Sequence, residues 1–241
     1  MTNLIYGIHS VDSAVRSNHV DQLFVCKDRN SEKMTRIIEI AQTNKIPVSF
    51  MDAQWFKKKF SSNSHQFIAA TEKKHSLSKQ NLEDFLAEDT KQHFFLILDE
   101  VQDPHNLGAC FRIASAFDLS GIIVPKNNSV GITPVVSKVA SGAVNHIPFF
   151  SVTNLSRTID LLKEHNFFMY AADGYSELSI YDQSFSGNVA LVMGSEGKGI
   201  RRLTKDKCDL TFSIPMSESI ESLNVSVATG ICVSEMKRKL K

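Results

Sequence analysis

From Phe94 onward, short unbroken apolar runs alternate with stretches of helical spacing, and this alternation restricts the possible folds more than any other feature of the chain. The runs are FFLILD (94–99), GIIVP (121–125), HIPFFSV (146–152), FFMYAAD (167–173), NVALVMG (188–194) and LTFSIPM (210–216). A strand that is apolar on both faces needs cover on both, and a parallel sheet between two layers of helices supplies it. Helical patterns fill the gaps: NLGACFRIASAF, TPVVSKVASGA, NLSRTIDLLKEHN, GIRRLTKDKC and a last segment from Ser222 to Leu240. The fold class expected is α/β with a mostly parallel sheet. Ligands of such sheets bind beyond the carboxyl ends of the strands.

Residues 1–72 read as a separate small α/β module. DQLFVCK, IPVSFM and QFIAAT are strand-like, Ser31 can cap a helix carrying Met34, Ile37, Ile38 and Ala41, and DAQWFKKKF is a short capped helix. Residues 73–93 are polar and mixed in charge, a linker with one helical turn near Leu82–Leu86, which leaves 94–241 as the second domain. The chain's net charge is only +1, yet residues 1–74 hold eleven Lys/Arg against seven Asp/Glu, an excess of +4 that suits phosphates or simply a solvated face. No run reaches the roughly 18 apolar residues of a membrane helix, and the start lacks a signal-peptide pattern. The four cysteines are scattered without a C-x-x-C, as reduced thiols of a cytoplasmic protein are, and the eight histidines form no metal-ligand spacing.

Three polar loops follow predicted strands. In DEVQDPHNLGACFRIA (99–114), Asn106 can cap the next helix, and Leu107, Cys110, Phe111, Ala114 and Phe117 form its buried stripe. Arg112 lies off that stripe; its permanent charge and planar fork suit a phosphate, although a surface arginine packed on neighbouring alanines has the same pattern. In GSEGKGIRRL (194–203), three glycines in six residues let backbone approach a ligand, but the order is neither G-x-G-x-x-G nor a Walker A loop. Glu196 there suits a hydroxyl, an amine or a cation better than an anion. In SIPMSESIESLNVSVATG (213–230), Ser222 or Asn224 can cap a helix with either Val227, Ile231 and Leu240 or Val225, Ala228 and Cys232 buried. Gly230 inside that helix costs about 1 kcal/mol against alanine and is tolerable where another backbone packs closely.

In order and spacing, DPHNLGACFRIA, LVMGSEGKGI and IPMSESIESLNVSVATG resemble the three motifs of the SpoU (TrmH-like) branch of the SPOUT RNA 2′-O-ribose methyltransferases, over residues 94–240. YGIHSV near the start and SHQFIAA at its end resemble the substrate-binding domain of members that act on ribosomal RNA, especially those that methylate a guanosine ribose in bacterial 23S RNA. Two positions depart from the pattern: Phe67 stands where His-Gln-Gly is usual, and Ile113 where a small or hydroxyl residue is common. The resemblance implies a small N-terminal RNA-binding module and a C-terminal domain closed as a deep trefoil knot. It implies S-adenosyl-L-methionine held by backbone around Gly194, Ile214 and Leu223, a homodimer packed near the site, and no metal. It further implies that Asn106, Arg112, Glu196, Ser222 and Asn224 form the catalytic pocket, with Arg112 holding a phosphate beside the target ribose. Other readings are a transfer-RNA or different ribosomal-RNA methyltransferase and a non-catalytic RNA-binding assembly protein. A dehydrogenase is disfavoured by the absent dinucleotide fingerprint.

Overall fold

The computed structural model describes residues 4–16, 20–29, 31–60, 65–72, 81–88, 91–217 and 219–240. The chain divides into two compact units, Met1–Lys79 and Gln80–Lys241. The first runs β1 (Leu4–Tyr6), α1 (Ile8–Arg16), β2 (Val20–Cys26), α2 (Glu32–Thr43), β3 (Val48–Met51), α3 (Ala53–Lys59) and β4 (Ile68–Glu72). Its sheet order is β1-β4-β2-β3, with β2 and β3 parallel and β4 antiparallel to both β1 and β2. Ser31 caps α2 by accepting from the Met34 amide at 3.3 Å, and Asp52 caps α3 by accepting from the Trp55 amide at 2.7 Å. Val11, Ala14 and Val15 of α1 and Met34, Ile37 and Ala41 of α2 close over Leu23, Val25, Ile68 and Ala70. Neither β1 nor α1 announces itself: β1 has three residues, and α1 carries two serines and β-branched residues that favour no helix until the apolar stripe is buried.

Phe67 is not in a strand. It and Gln66 both take left-handed backbone, φ +58° and +48°, immediately before β4. A ring at that φ costs about 1–2 kcal/mol, which explains why glycine suits the position. Here packing offsets the cost, since the Phe67 ring lies 4.8 Å from His65 and 5.9 Å from Phe56, and the Arg29 guanidinium sits 4.6 Å over it.

The second unit runs α4 (Leu82–Glu88), β5 (Phe94–Asp99), α5 (Pro104–Ala116), β6 (Gly121–Pro125), α6 (Pro134–Ala140), β7 (Phe149–Val152), α7 (Leu155–Glu164), β8 (Phe167–Ala172), β9 (Asn188–Gly194), α8 (Arg202–Lys205), β10 (Leu210–Phe212) and α9 (Val225–Lys239), with 3-10 turns at Ala143–Asn145 and Ile180–Asp182. Its sheet order is β10-β8-β9-β5-β6-β7, and every neighbouring pair is parallel. On β5 the alternation of side chains divides the core: Phe94, Leu96 and Leu98 pack on one face with α5 and α9, and Phe95 and Ile97 on the other with α7. Each such buried side chain contributes about 1.5–3 kcal/mol.

Three expectations need correction here. The helical turn expected near Leu82–Leu86 runs on to Glu88 as α4 and belongs to the second unit, with Leu82 and Leu86 buried among Phe95, Phe150 and Phe167. GIRRLTKDKC gives only the four-residue α8, because it has no apolar stripe to bury; Leu203 is 76 % exposed. LTFSIPM is a strand over Leu210–Phe212, with one further bridge from Ser213 to Ser179, and Ile214 to Met216 are loop.

Candidate active site

The cap of α5 is Asp103, which accepts from the His105 amide at 2.9 Å, with Pro104 as the first helical residue. Asn106 is therefore not the cap expected from its sequence position. It sits in the first turn, buried, with its side chain released for a longer-range contact.

That contact joins all three loops. Asn224 Nδ2 donates to Asn106 Oδ1 at 2.9 Å and to Glu196 Oε1 at 2.6 Å, and Asn106 Nδ2 donates to Glu196 Oε1 at 3.1 Å. Asn224 Oδ1 meanwhile caps α9, accepting from the Ser226 amide at 2.9 Å, the Ser226 hydroxyl at 2.6 Å and the Val227 amide at 3.4 Å. The α9 cap, the first turn of α5 and the glycine loop are thus held in one network. Glu196 Oε1 is filled by two amide donors, while Oε2 accepts from none of the described residues and is open to a hydroxyl or amine.

The glycine loop owes its shape to its own backbone. Ser195 N donates to Gly199 O at 3.2 Å and Gly199 N to Ser195 O at 2.9 Å, and Gly197 and Gly199 have φ of +78° and +67°. A Cβ on Gly194 would lie 2.1 Å from the Gly199 carbonyl carbon. Gly194 is thus required by the returning chain itself, a reason distinct from the ligand approach expected of it. Ile214 and Leu223 are half-buried, and their backbone N–H groups have no hydrogen-bond partner among the described residues. Two unfilled donors on the loop before α9, beside an open carboxylate oxygen on the glycine loop, suit a ligand that presents acceptors along one side and an amine or hydroxyl on the other.

Arg112 and Ser222 stand outside this network. Arg112 is exposed, forms no ion pair among the described residues, and lies six residues beyond Asn106, about 9 Å along the helix axis. The helix that carries it is fixed on two sides. A Cβ on Gly108 would meet Val139 at 2.7 Å, and the Ile113 side chain lies over Gly230 of α9. A Cβ on Gly230 would lie 3.7 Å from that side chain, an ordinary contact, and would not meet the backbone expected there. Ser222 is exposed and makes no hydrogen bond among the described residues. On α9, Val225 and Cys232 face the core, while Val227, Gly230 and Ile231 line an open groove of about 560 Å³ with Phe117 and Tyr181.

An ion pair at the site has no counterpart among the sequence expectations. Asp99, 0 % exposed, accepts from Arg201 Nε at 2.8 Å and from the Arg201 amide at 3.1 Å, and Arg201 also reaches Glu100 at 3.2 Å. Asp99 holds the guanidinium pKa above its ordinary value. The pair ties the end of β5 to the chain leaving the glycine loop. An acid closing an otherwise apolar, doubly buried strand was the available signal. Burial pushes the thiols of Cys110 and Cys232 up to about 12, so neither serves as a nucleophile near neutral pH. Among the described residues no group of His, Cys, Asp and Glu could hold a metal, and no helix is long and apolar enough to cross a membrane.

Known proteins align with both units. The SpoU rRNA Methylase family matches residues 93–234, and the domain described as RNA 2′-O ribose methyltransferase substrate binding matches residues 4–102. The 23S rRNA (guanosine-2′-O-)-methyltransferase RlmB of Shewanella oneidensis is 43 % identical over 240 residues, covering 98 % of this chain and 97 % of that protein. Its Escherichia coli counterpart is 39 % identical over 242 residues, covering 99 % of each. The crystal structure of the SpoU methyltransferase AviRb from Streptomyces viridochromogenes with the cofactor AdoMet superposes with a TM-score of 0.78 at 21 % identity, over 98 % of this chain and 89 % of that one, a likeness of fold. With both domain patterns in register and the three motif loops joined by hydrogen bonds, the chain belongs to the SpoU rRNA methylase family.

Proposed function

We propose that this protein transfers a methyl group from S-adenosyl-L-methionine to the ribose 2′-hydroxyl of a guanosine in 23S ribosomal RNA, in the cytoplasm. The observation that carries the reading is the Asn106–Glu196–Asn224 network, which draws the three loops together at the carboxyl edge of the sheet, in a chain similar end to end to enzymes of that name.

The cofactor's chemistry, when it is bound, is a sulfonium methyl already activated for displacement. The residues around the knotted cleft that the family resemblance implies fit such a ligand: Ile214 and Leu223 offer backbone donors, Gly194 keeps the loop tight, and Glu196 Oε2 offers an acceptor. The protein's own work is alignment and charge. Asn106 and Asn224 fix Glu196 in one orientation, and Ser222 supplies a further hydroxyl at the rim. Arg112, exposed and unpaired among the described residues, holds the phosphate beside the target ribose and stabilises the oxygen as its proton leaves. A guanidinium does not serve as a base near neutral pH, so its role is positioning. The groove along α9, with Val227 52 % exposed, receives a second copy of the chain. The first unit, whose residues 1–74 carry an excess of +4, selects the RNA.

Arg112→Ala tests the assignment. Methyl transfer should fall by two or more orders of magnitude, while calorimetric titration with S-adenosyl-L-methionine gives an affinity close to wild type. Equal loss of both would contradict a role directed at the RNA.

A further inference from the structure

A second cavity, of about 340 Å³, opens at the carboxyl ends of β5, β6 and β7. None of the sequence motifs assigns it a role. We propose that it is a subsite for one unstacked nucleotide of the RNA, next to the residue that is methylated. The proposal rests on the RNA substrate named above and adds where the strand continues past the reaction centre.

Placement is the first argument. Asp99 lies opposite Gly194 in the β5–β9 register, so the cavity and the glycine loop share β5 as a common wall. An RNA strand presenting a ribose at Glu196 therefore has its adjoining residue within reach of the cavity. The size, at the lower end of the 300–1,000 Å³ range usual for ligand pockets, suits one nucleotide and not a duplex.

The lining is the second argument. Asn127, Asn128, Asn154 and Ser156 present amides and hydroxyls, which read both donors and acceptors of a base or ribose. The floor carries a net negative charge, because the single guanidinium of Arg201 is bound to two carboxylates, Asp99 and Glu100. A free anion gains little there. Positive charge gathers at the mouth: Arg202 lines it at 93 % side-chain exposure, in a loose, solvent-exposed pair with Asp206 at 3.7 Å, and Lys126 and Arg157 are exposed beside lining residues. A polar interior that repels anions, with cationic side chains at its rim, is complementary to a nucleotide whose base enters and whose phosphodiester stays outside.

The backbone is the third argument. Glu100 and Asn128 both line the cavity with left-handed φ of +63° and +59°, and Asn128 Nδ2 donates to Glu100 Oε1 at 3.2 Å. A glutamate in that conformation is strained, and such strain persists only where the surroundings hold it. Asn128 and Arg201 hold it from two sides.

The test uses the full chain and an unmodified 23S ribosomal RNA fragment that it binds, with binding read by fluorescence anisotropy so that the outcome does not depend on turnover. Arg202→Ala should weaken RNA binding about three- to tenfold and lower the slope of log affinity against log salt by about one, with cofactor titration unchanged. Single abasic substitutions are then scanned through the nucleotides flanking the target. One position should weaken binding about tenfold, the size of one lost base contact, and Asn127→Ala should remove most of that sensitivity. The proposal is overturned if Arg202→Ala leaves affinity and salt slope as in wild type. It is equally overturned if every abasic penalty simply multiplies with that of Asn127→Ala. A wild-type chain that binds the fragment with these couplings but methylates nothing would sink the proposed function and leave the subsite standing.

Discussion

Asn224 is the residue on which the site and the stability of the second unit meet, and replacing it separates the two. In Asn224→Ala the helix loses its cap, about 1 kcal/mol. Asn106, 5 % exposed, loses the donor to its Oδ1, about 1 kcal/mol more for a buried acceptor left unpaired. The bond to Glu196 joins two exposed side chains and adds about 0.5 kcal/mol. The sum is about 2.5 kcal/mol, which for a unit of this size lowers the melting temperature by about 5–10 °C. Asn224→Ser keeps a capping oxygen but has no amide donor, so it should recover about 1 kcal/mol of that loss. Urea unfolding followed by far-UV circular dichroism reads the stabilities, and methyl transfer to RNA reads the site. The expected pattern is Asn224→Ser intermediate in stability and as impaired as Asn224→Ala in transfer. If the serine variant is no more stable than the alanine variant, Asn224 is not acting as the cap. If it transfers methyl groups at the wild-type rate, the network to Glu196 has no part in the reaction.

Two further perturbations follow from the geometry. Gly194→Ala puts a carbon within 2.1–2.4 Å of three backbone atoms of Gly199 and Ile200, so the loop must open; cofactor binding should be lost by calorimetry while the fold, read by circular dichroism, persists at lowered stability. Burial holds the His65 pKa below its ordinary 6.5, so the unfolded chain takes up the proton first. The stability this neutral ring contributes is therefore complete above about pH 6.5 and declines as pH falls below it. Trp55, the chain's one tryptophan, lies in the same aromatic cluster, so its fluorescence should report an earlier urea midpoint at pH 5 than at pH 7. An unchanged midpoint would mean that His65 takes up its proton equally in the folded and unfolded states, so that burial does not lower its pKa.

The second unit was largely legible because its signal is long-range in effect but local in sequence. A run such as Phe94–Leu98, apolar at every position, has few places to go other than the centre of a covered sheet. Resemblance of motif order then identified the loops, and the structure brings three of the five implied catalytic residues into one network. What sequence could not supply was the partner of each polar side chain. Asn106 looked like a cap because asparagine before a helix usually is one, but Asp103 lies three residues earlier and takes the role. Asp99 looked like the end of a strand, and its partner Arg201 is 102 residues away. Gly194 was read for its approach to a ligand, and nothing in the sequence signals that the backbone of its own loop also requires a glycine there. In the first unit, β1 and α1 depend on tertiary burial of a narrow stripe, and propensity alone does not reveal them. Phe67 illustrates the converse: the residue type argues against the backbone conformation that packing around the ring imposes.

The central claim is the transfer itself. Unmodified 23S ribosomal RNA, incubated with the purified chain and methyl-labelled S-adenosyl-L-methionine, is digested with nuclease and the product mapped by mass spectrometry. The account predicts one 2′-O-methylguanosine at a single position, formed by the wild-type chain and not by Arg112→Ala. Label in transfer RNA instead, or on a base rather than a ribose, would contradict it.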